Sequence, residues 1–221
     1  MFNQSLEFYI LMIPVLLISL TVHEFSHGYI AYRLGDMTAK NEGRLTLNPI
    51  KHLDPIGTIM MFVARIGWAK PVPINPYFFR DRKKGTMLVS VAGPLSNLLM
   101  AFIAIFIYKI FVLSMYGMLI AGNKPLIYLV DFLILFFSVN LSLAVFNLLP
   151  VPPLDGSKIL SGVLPSETYF RFMQYERMIG MVFLFVVIVF PGVLGSILGF
   201  FTEPIANSMI WVIDKIIGLF R

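Results

Sequence analysis

Residues 9–32 read YILMIPVLLISLTVHEFSHGYIAY. Between Tyr9 and Val22 nothing is charged, and His23, Glu24 and His27 then follow within one helical turn and a half. A helix needs about 20 mainly apolar residues to cross a bilayer. An ionisable group inside such a segment is costly, and it reads by default as a functional site. His23 and His27 are four apart, so a helix stacks both imidazoles on one face. Glu24, three before His27, borders that face. This is the H-E-x-x-H arrangement, in which two imidazoles grip one metal ion and the glutamate reaches a water on it without being a ligand. Zinc lowers the pKa of its water to roughly 7, and a glutamate base completes the deprotonation.

The rest of the chain supports a membrane setting. Of 221 residues 58% are hydrophobic and 13% charged, and the mean hydropathy is +0.84. Soluble domains carry about 25% charged residues. The fold class expected is an all-α polytopic membrane protein, residues 1–221 forming one domain, with about five to six transmembrane or re-entrant helices. There is no cysteine, which excludes disulfides and thiolate metal ligands. The N-terminus MFNQSLEF has no basic n-region and contains Glu7, so it reads as the start of a retained span rather than a signal peptide.

Outward from the opening stretch, the first helix is expected over about 6–34, with Gly35 as its stop. A basic connection, about 35–86, follows. Its short apolar piece IGTIMMFVARIGW (56–68) is too short to span and reads as re-entrant or interfacial. RLTL and KPVPI look extended, and Pro71, Pro73 and Pro76 exclude a regular helix there; a short β-hairpin or extended segment is expected within 40–80. RLTL is also a candidate edge strand for an unwound substrate. Further spans are expected over about 87–116, 126–149 and 178–200, the last bent at Pro191–Gly192, with a final segment over 204–220 that spans or lies at the interface.

The net charge is +5, and the basic residues cluster beside apolar segments. That pattern points to topology and anionic lipid headgroups, not to nucleic acid. Connection 34–86 holds Lys40, Arg44, Lys51, Arg65, Lys70, Arg80, Arg82, Lys83 and Lys84, and the connection after the third span holds Lys158, Arg171 and Arg177. Both are therefore expected in the cytoplasm, with the N-terminus outside. The end of the first helix and the turn PVPPLDG then share one side and one depth. From Tyr9 to Val22 a helix rises about 20 Å through a core about 30 Å thick, which puts the metal roughly 10 Å inside the cytoplasmic boundary.

A catalytic zinc has three protein ligands and one open position. The metzincin continuation is absent, since Ile30 and Arg33 stand where its glycine and third histidine would be. The third-ligand candidates are His52, Asp36, Glu42, Asp54, Asp131 and Asp155. Asp131 lies near the wrong end of its span. Asp36, Glu42, His52 and Asp54 read as solvated residues near headgroups. Asp155, in a proline-fixed turn at the matching depth, is favoured on geometry. In the second span, Gly93 and Asn97 read as packing residues, and Ala92 and Ser96 as a small pair that lets this helix approach the first.

These residues resemble the site-2 protease family of intramembrane zinc metalloproteases. HEFSH matches its metal-binding helix motif, and FNLLPVPPLDGSKIL (146–160) its second motif. GRLTLNP, KPVPINP and AGPLSN are similar to further family segments, so the resemblance covers about residues 20–165. It implies Asp155 as third ligand beside His23 and His27, and one Zn²⁺ per chain. It also implies a role for Asn147 in holding the substrate or the developing oxyanion. Asn140, seven residues earlier on nearly the same face, competes for that role. The form resembled is the compact bacterial or archaeal one without PDZ or CBS domains. The function expected is hydrolysis of peptide bonds in or near transmembrane segments of membrane-tethered proteins, in a prokaryotic cell membrane, with Glu24 as general base. The alternative is a metal-binding transporter or sensor without catalysis. The lipid bilayer is an expected partner; the sequence carries no signal for oligomeric state.

Overall fold

The computed structural model describes residues 6–55, 57 and 69–219. The chain is helical, and among the described residues the only strand-like pairing is an isolated antiparallel bridge between Leu53 and Ala69. Helix α1 is Leu6–Arg33, with Pro14 inside it. A single turn, α2 (Thr38–Asn41), follows, and then a 3₁₀ turn at Pro49–His52 that Asn48 caps by accepting from the Ile50 N–H. Residues 70–75 are neither helix nor strand and lead to a second 3₁₀ turn at Pro76–Phe78, before which Asn75 is extended. KPVPI is thus free of helix, as its prolines require, and RLTL is a bend rather than a strand. Three prolines remove N–H donors from 70–76, so this segment cannot pair fully with a partner strand. The apolar piece 56–68 lies outside the described residues apart from Gly57.

Helix α3 (Arg82–Ile120) starts where Asp81 accepts from the N–H groups of Lys83 and Lys84, and it is kinked at Met115. Helix α4 (Lys124–Leu148) is capped by Asn123. Both start before the expected 87 and 126, because a polar N-cap rather than the first apolar residue begins a helix, and α3 also runs past the expected 116 while α4 stops one residue short of 149. The turn 149–154 leads into α5 (Asp155–Val163) and α6 (Ser166–Gln174). Helix α7 (Glu176–Val189) and helix α8 (Pro191–Gly218) end the chain. The expected division into 178–200 and 204–220 is thus redrawn. The break falls at Phe190, Pro191 opens a new helix, and Pro204 lies inside it. Proline suits a first helical turn, where its missing N–H costs nothing.

Among the described residues, four helices are long and apolar enough to cross a membrane: Glu7–Arg33, Arg82–Ile120, Lys124–Leu148 and Gly192–Gly218. The pair α6–α7, bent by 60°, would make a fifth. Large apolar side chains such as Ile10, Leu99, Ile103 and Phe200 stay exposed on these helices, as a lipid-facing surface requires. This is an integral membrane protein. Its centre is α3, which packs on both α1 and α4, while α1 also touches α4. The interface is built from small residues: Ala101, Ala104 and Ala144 are at most 2% exposed. Without a hydrophobic drive between helices in lipid, such residues let backbones approach closely. At one end the Tyr128 hydroxyl donates to Glu7. At the other, the Lys83 ammonium donates to the Leu164 carbonyl, so the two basic connections share one face of the protein.

Candidate metal centre

Helix α1 carries His23 and His27 one turn apart, facing α3. The chain returns to them through the turn after α4, where Val151 N–H donates to the Leu149 carbonyl and Leu154 N–H to the Val151 carbonyl. Asp155 is the first residue of α5, and a carboxylate is favoured at a helix N-terminus. Gly156 makes this fold-back possible. A Cβ there would overlap the carbonyl oxygens of Leu148 and Leu149 and lie 2.6 Å from the Leu148 carbonyl carbon, so only glycine lets α5 begin beneath the end of α4.

Asp155 Oδ2 lies 3.2 Å from His23 Nε2 and 3.0 Å from His27 Nε2, and the two Nε2 atoms are 3.0 Å apart. All three residues are at most 8% exposed. Ligands of a tetrahedral zinc, at about 2.0–2.2 Å from the ion, lie roughly 3.4 Å from one another. The observed triangle is already within a few tenths of an ångström of that spacing. Two neutral imidazoles and a carboxylate are also a donor set that zinc takes in catalytic sites, so the residues present fit the ion.

Each imidazole is held from behind. His27 Nδ1 lies 2.7 Å from the Val89 carbonyl oxygen, and His23 Nδ1 lies 2.6 Å from Asn97 Oδ1. Both Nε2 atoms thereby face the carboxylate. Such second bonds fix ring orientation and tautomer at metal sites. Glu24 is outside the triangle; its Oε2 accepts from the Val72 N–H at 2.8 Å. The KPVPI segment thus runs against the glutamate. Arg44, 7% exposed, pins that segment by donating from Nη2 to the carbonyls of Lys70 and Pro71.

Of the candidates named from sequence, the structure brings together His23, His27 and Asp155. Asn147 sits in the last turn of α4 and donates to the Leu143 carbonyl of its own helix at 3.0 Å. Asp131 and Glu42 are exposed. Asp36 and His52 are not solvated as expected but buried, at 0% and 2%. Asp36 accepts from the N–H groups of Thr38 and Asn75, and His52 Nε2 contacts the Thr46 carbonyl at 2.7 Å. The α3 face against α1 is Gly93 and Asn97, which are buried, rather than Ala92 and Ser96. Sequence reasoning missed Arg44, Val72, Gly93 and Asn97 as parts of the site. The one available signal was that Gly93 and Asn97, four apart, form a small and polar stripe in an apolar helix.

The model of peptidase family M50 matches residues 112–190, which include Asp155. A Bacillus subtilis protein named "Putative zinc metalloprotease YwhC" is 40% identical over 216 residues, covering 95% of this chain and 90% of the relative. This chain belongs to peptidase family M50. A Mycobacterium tuberculosis protein of similar name, "Putative zinc metalloprotease Rip2", is 32% identical over 86% of this chain and 71% of its own length. A Methanocaldococcus jannaschii protein, "Zinc metalloprotease MJ0392", is 28% identical over 75% of this chain and 37% of its own length. No solved structure matches this M50 chain.

Proposed function

We propose that this M50 peptidase is an intramembrane zinc metalloendopeptidase, hydrolysing peptide bonds within or near transmembrane segments of membrane-tethered proteins. The observation that carries the reading is the convergence of His23 Nε2, His27 Nε2 and Asp155 Oδ2 at the end of an apolar helix. Held by these three residues, zinc would supply a Lewis acid able to bring the pKa of water to roughly 7. Glu24 would take a proton from the attacking water and pass it to the departing amine, as a general base that becomes a general acid. The Val72 N–H, bonded to one carboxylate oxygen, keeps Glu24 aimed while leaving its other oxygen for the proton. Asn147 is assigned to the substrate carbonyl side; its amide must leave the Leu143 carbonyl to reach it.

The same geometry supports a setting for the reaction. A peptide bond inside a membrane helix is hydrogen-bonded, so the substrate must unwind locally before attack. The shared face of the two basic connections supports a site toward the cytoplasm, with the N-terminus outside. The reading is of one domain spanning residues 1–221.

The test uses wild-type protein in detergent and in proteoliposomes. One zinc per chain is expected, with cleavage of a model transmembrane substrate that stops on chelation and returns with zinc. Zinc flux across the liposome without proteolysis would instead favour a transporter. Asp155→Ala removes the one anionic donor. Its zinc affinity is expected to fall by more than about 100-fold, the upper end of what outer-shell changes cost. Unchanged zinc content in that variant would return the third-ligand question to His52 or Asp54.

A further inference from the structure

Behind His23 lies a polar chain that no metal ligand accounts for. Ser19, Asn97 and Asn140 come from α1, α3 and α4, and all three are 0% exposed. Asn97 Oδ1 meets His23 Nδ1 at 2.6 Å. Asn97 Nδ2 donates to Asn140 Oδ1 at 2.8 Å, and Asn140 Nδ2 donates to Ser19 Oγ at 2.9 Å and to the Phe136 carbonyl at 2.8 Å. The Ser19 hydroxyl donates to the Val15 carbonyl at 2.7 Å.

The direction of every bond follows from its far end. A backbone carbonyl only accepts, so the Ser19 proton is committed to Val15, and toward Asn140 its oxygen can only accept. The Phe136 carbonyl imposes the same demand. Asn140 must therefore turn its NH₂ toward both and its oxygen toward Asn97. Asn97 must in turn present its NH₂ to Asn140 and its oxygen to His23. The last acceptor requires a proton on His23 Nδ1, which leaves the Nε2 lone pair facing Asp155 and His27. His27 reaches the same tautomer in one step, through the Val89 carbonyl. The chain is also neutral throughout, which avoids a second buried charge in the membrane.

We propose that Ser19, Asn97 and Asn140 are positioning residues of the metal centre: a one-way hydrogen-bond relay, anchored on the carbonyls of Val15 and Phe136, holds His23 in the tautomer that binds metal. This rests on the metal-centre reading above. An aliphatic residue at 97 leaves His23 free to rotate or to take the other tautomer. Outer-shell partners of this kind contribute about 10- to 100-fold to metal affinity.

The test measures zinc affinity by chelator competition, with the melting temperature of the metal-free protein as a check on the fold. Asn97→Leu is expected to bind zinc about 10- to 100-fold more weakly than wild type, with the metal-free protein still folded though of lower melting temperature, because buried polar groups lose partners. Asn97→Asp restores an acceptor for His23, and its carboxylic O–H can replace the donor to Asn140; its affinity is expected to recover most of the loss. Wild-type affinity in Asn97→Leu, or an equal loss in Asn97→Asp, overturns the relay. If Asn97→Leu does not fold, Asn140→Leu decides: weaker zinc binding is expected because the Asn97 NH₂ then keeps only its long 3.4 Å bond to the Ser19 carbonyl, too weak to fix the amide. Unchanged affinity in folded Asn140→Leu overturns the proposal. A wild type that binds no zinc defeats the metal centre itself, and so is distinguishable from failure of the relay alone.

Discussion

Glu24→Gln is expected to keep its full complement of zinc and to lose cleavage by about 10²- to 10⁴-fold, the usual contribution of a positioned base. The substitution is nearly isosteric. The glutamine oxygen can still accept from the Val72 N–H, as Glu24 does, so the KPVPI segment stays in place. What disappears is basicity, since an amide cannot take the proton from water at neutral pH. Zinc per chain, measured by elemental analysis, and the cleavage rate of a transmembrane substrate in proteoliposomes check the two halves separately. Cleavage within tenfold of wild type would falsify the general-base assignment, whereas loss of zinc would show that Glu24 also shapes the ligand triangle.

Gly93→Ala should weaken zinc binding without altering any ligand. A Cβ at residue 93 would lie 2.6 Å from the Cε1 atoms of both His23 and His27, and closer still to His27 Nε2. Carbon atoms pack comfortably at about 3.5–4.0 Å, so the imidazoles must swing away or α3 must retreat from α1 by about 1 Å. Either movement opens the triangle with Asp155 and lengthens the Asn97 bond to His23. The expected loss of zinc affinity is at least about tenfold, of the order seen when outer-shell support is removed. Gly117→Ala is the control on the same helix. Nothing lies within 4 Å of its Cβ position, and alanine is favoured over glycine in a helix by about 1 kcal/mol. That variant should bind zinc normally. Equal zinc affinity in the two variants would mean that α1 and α3 separate at no cost.

Much of the site was legible in the chain because its logic is local. His23 and His27 are bound to one face by helical periodicity, and Glu24 comes with them. Asp155 could be reached by a longer inference, since an apolar run has a known length and charged loops have a side, which together gave a depth match. The spans were legible for the same reason, although their ends were not. Asp81 and Asn123 start α3 and α4 ahead of their first apolar residues through capping bonds. The bend at Pro191–Gly192 was legible from its proline; that one helix then runs on through Pro204 was not, because a proline inside a helix and a proline that ends one look alike in the chain.

The sequence by itself determined that an H-E-x-x-H metal motif closes an apolar helix, that further apolar helices surround it, and that a proline-bounded aspartate returns to the same depth. Those are consequences of period, length and charge, all readable in one dimension. Only the tertiary structure decided what stands behind the imidazoles. Asn97 and Asn140 look like ordinary polar residues of separate spans until α1, α3 and α4 pack, and Arg44 looks like a topology charge until it grips the segment beside Glu24. Their partners lie 26 to 121 residues away in the chain. A hydrogen bond has direction and a reach of about 3 Å, and no pattern along the chain specifies which distant carbonyl its far end will meet.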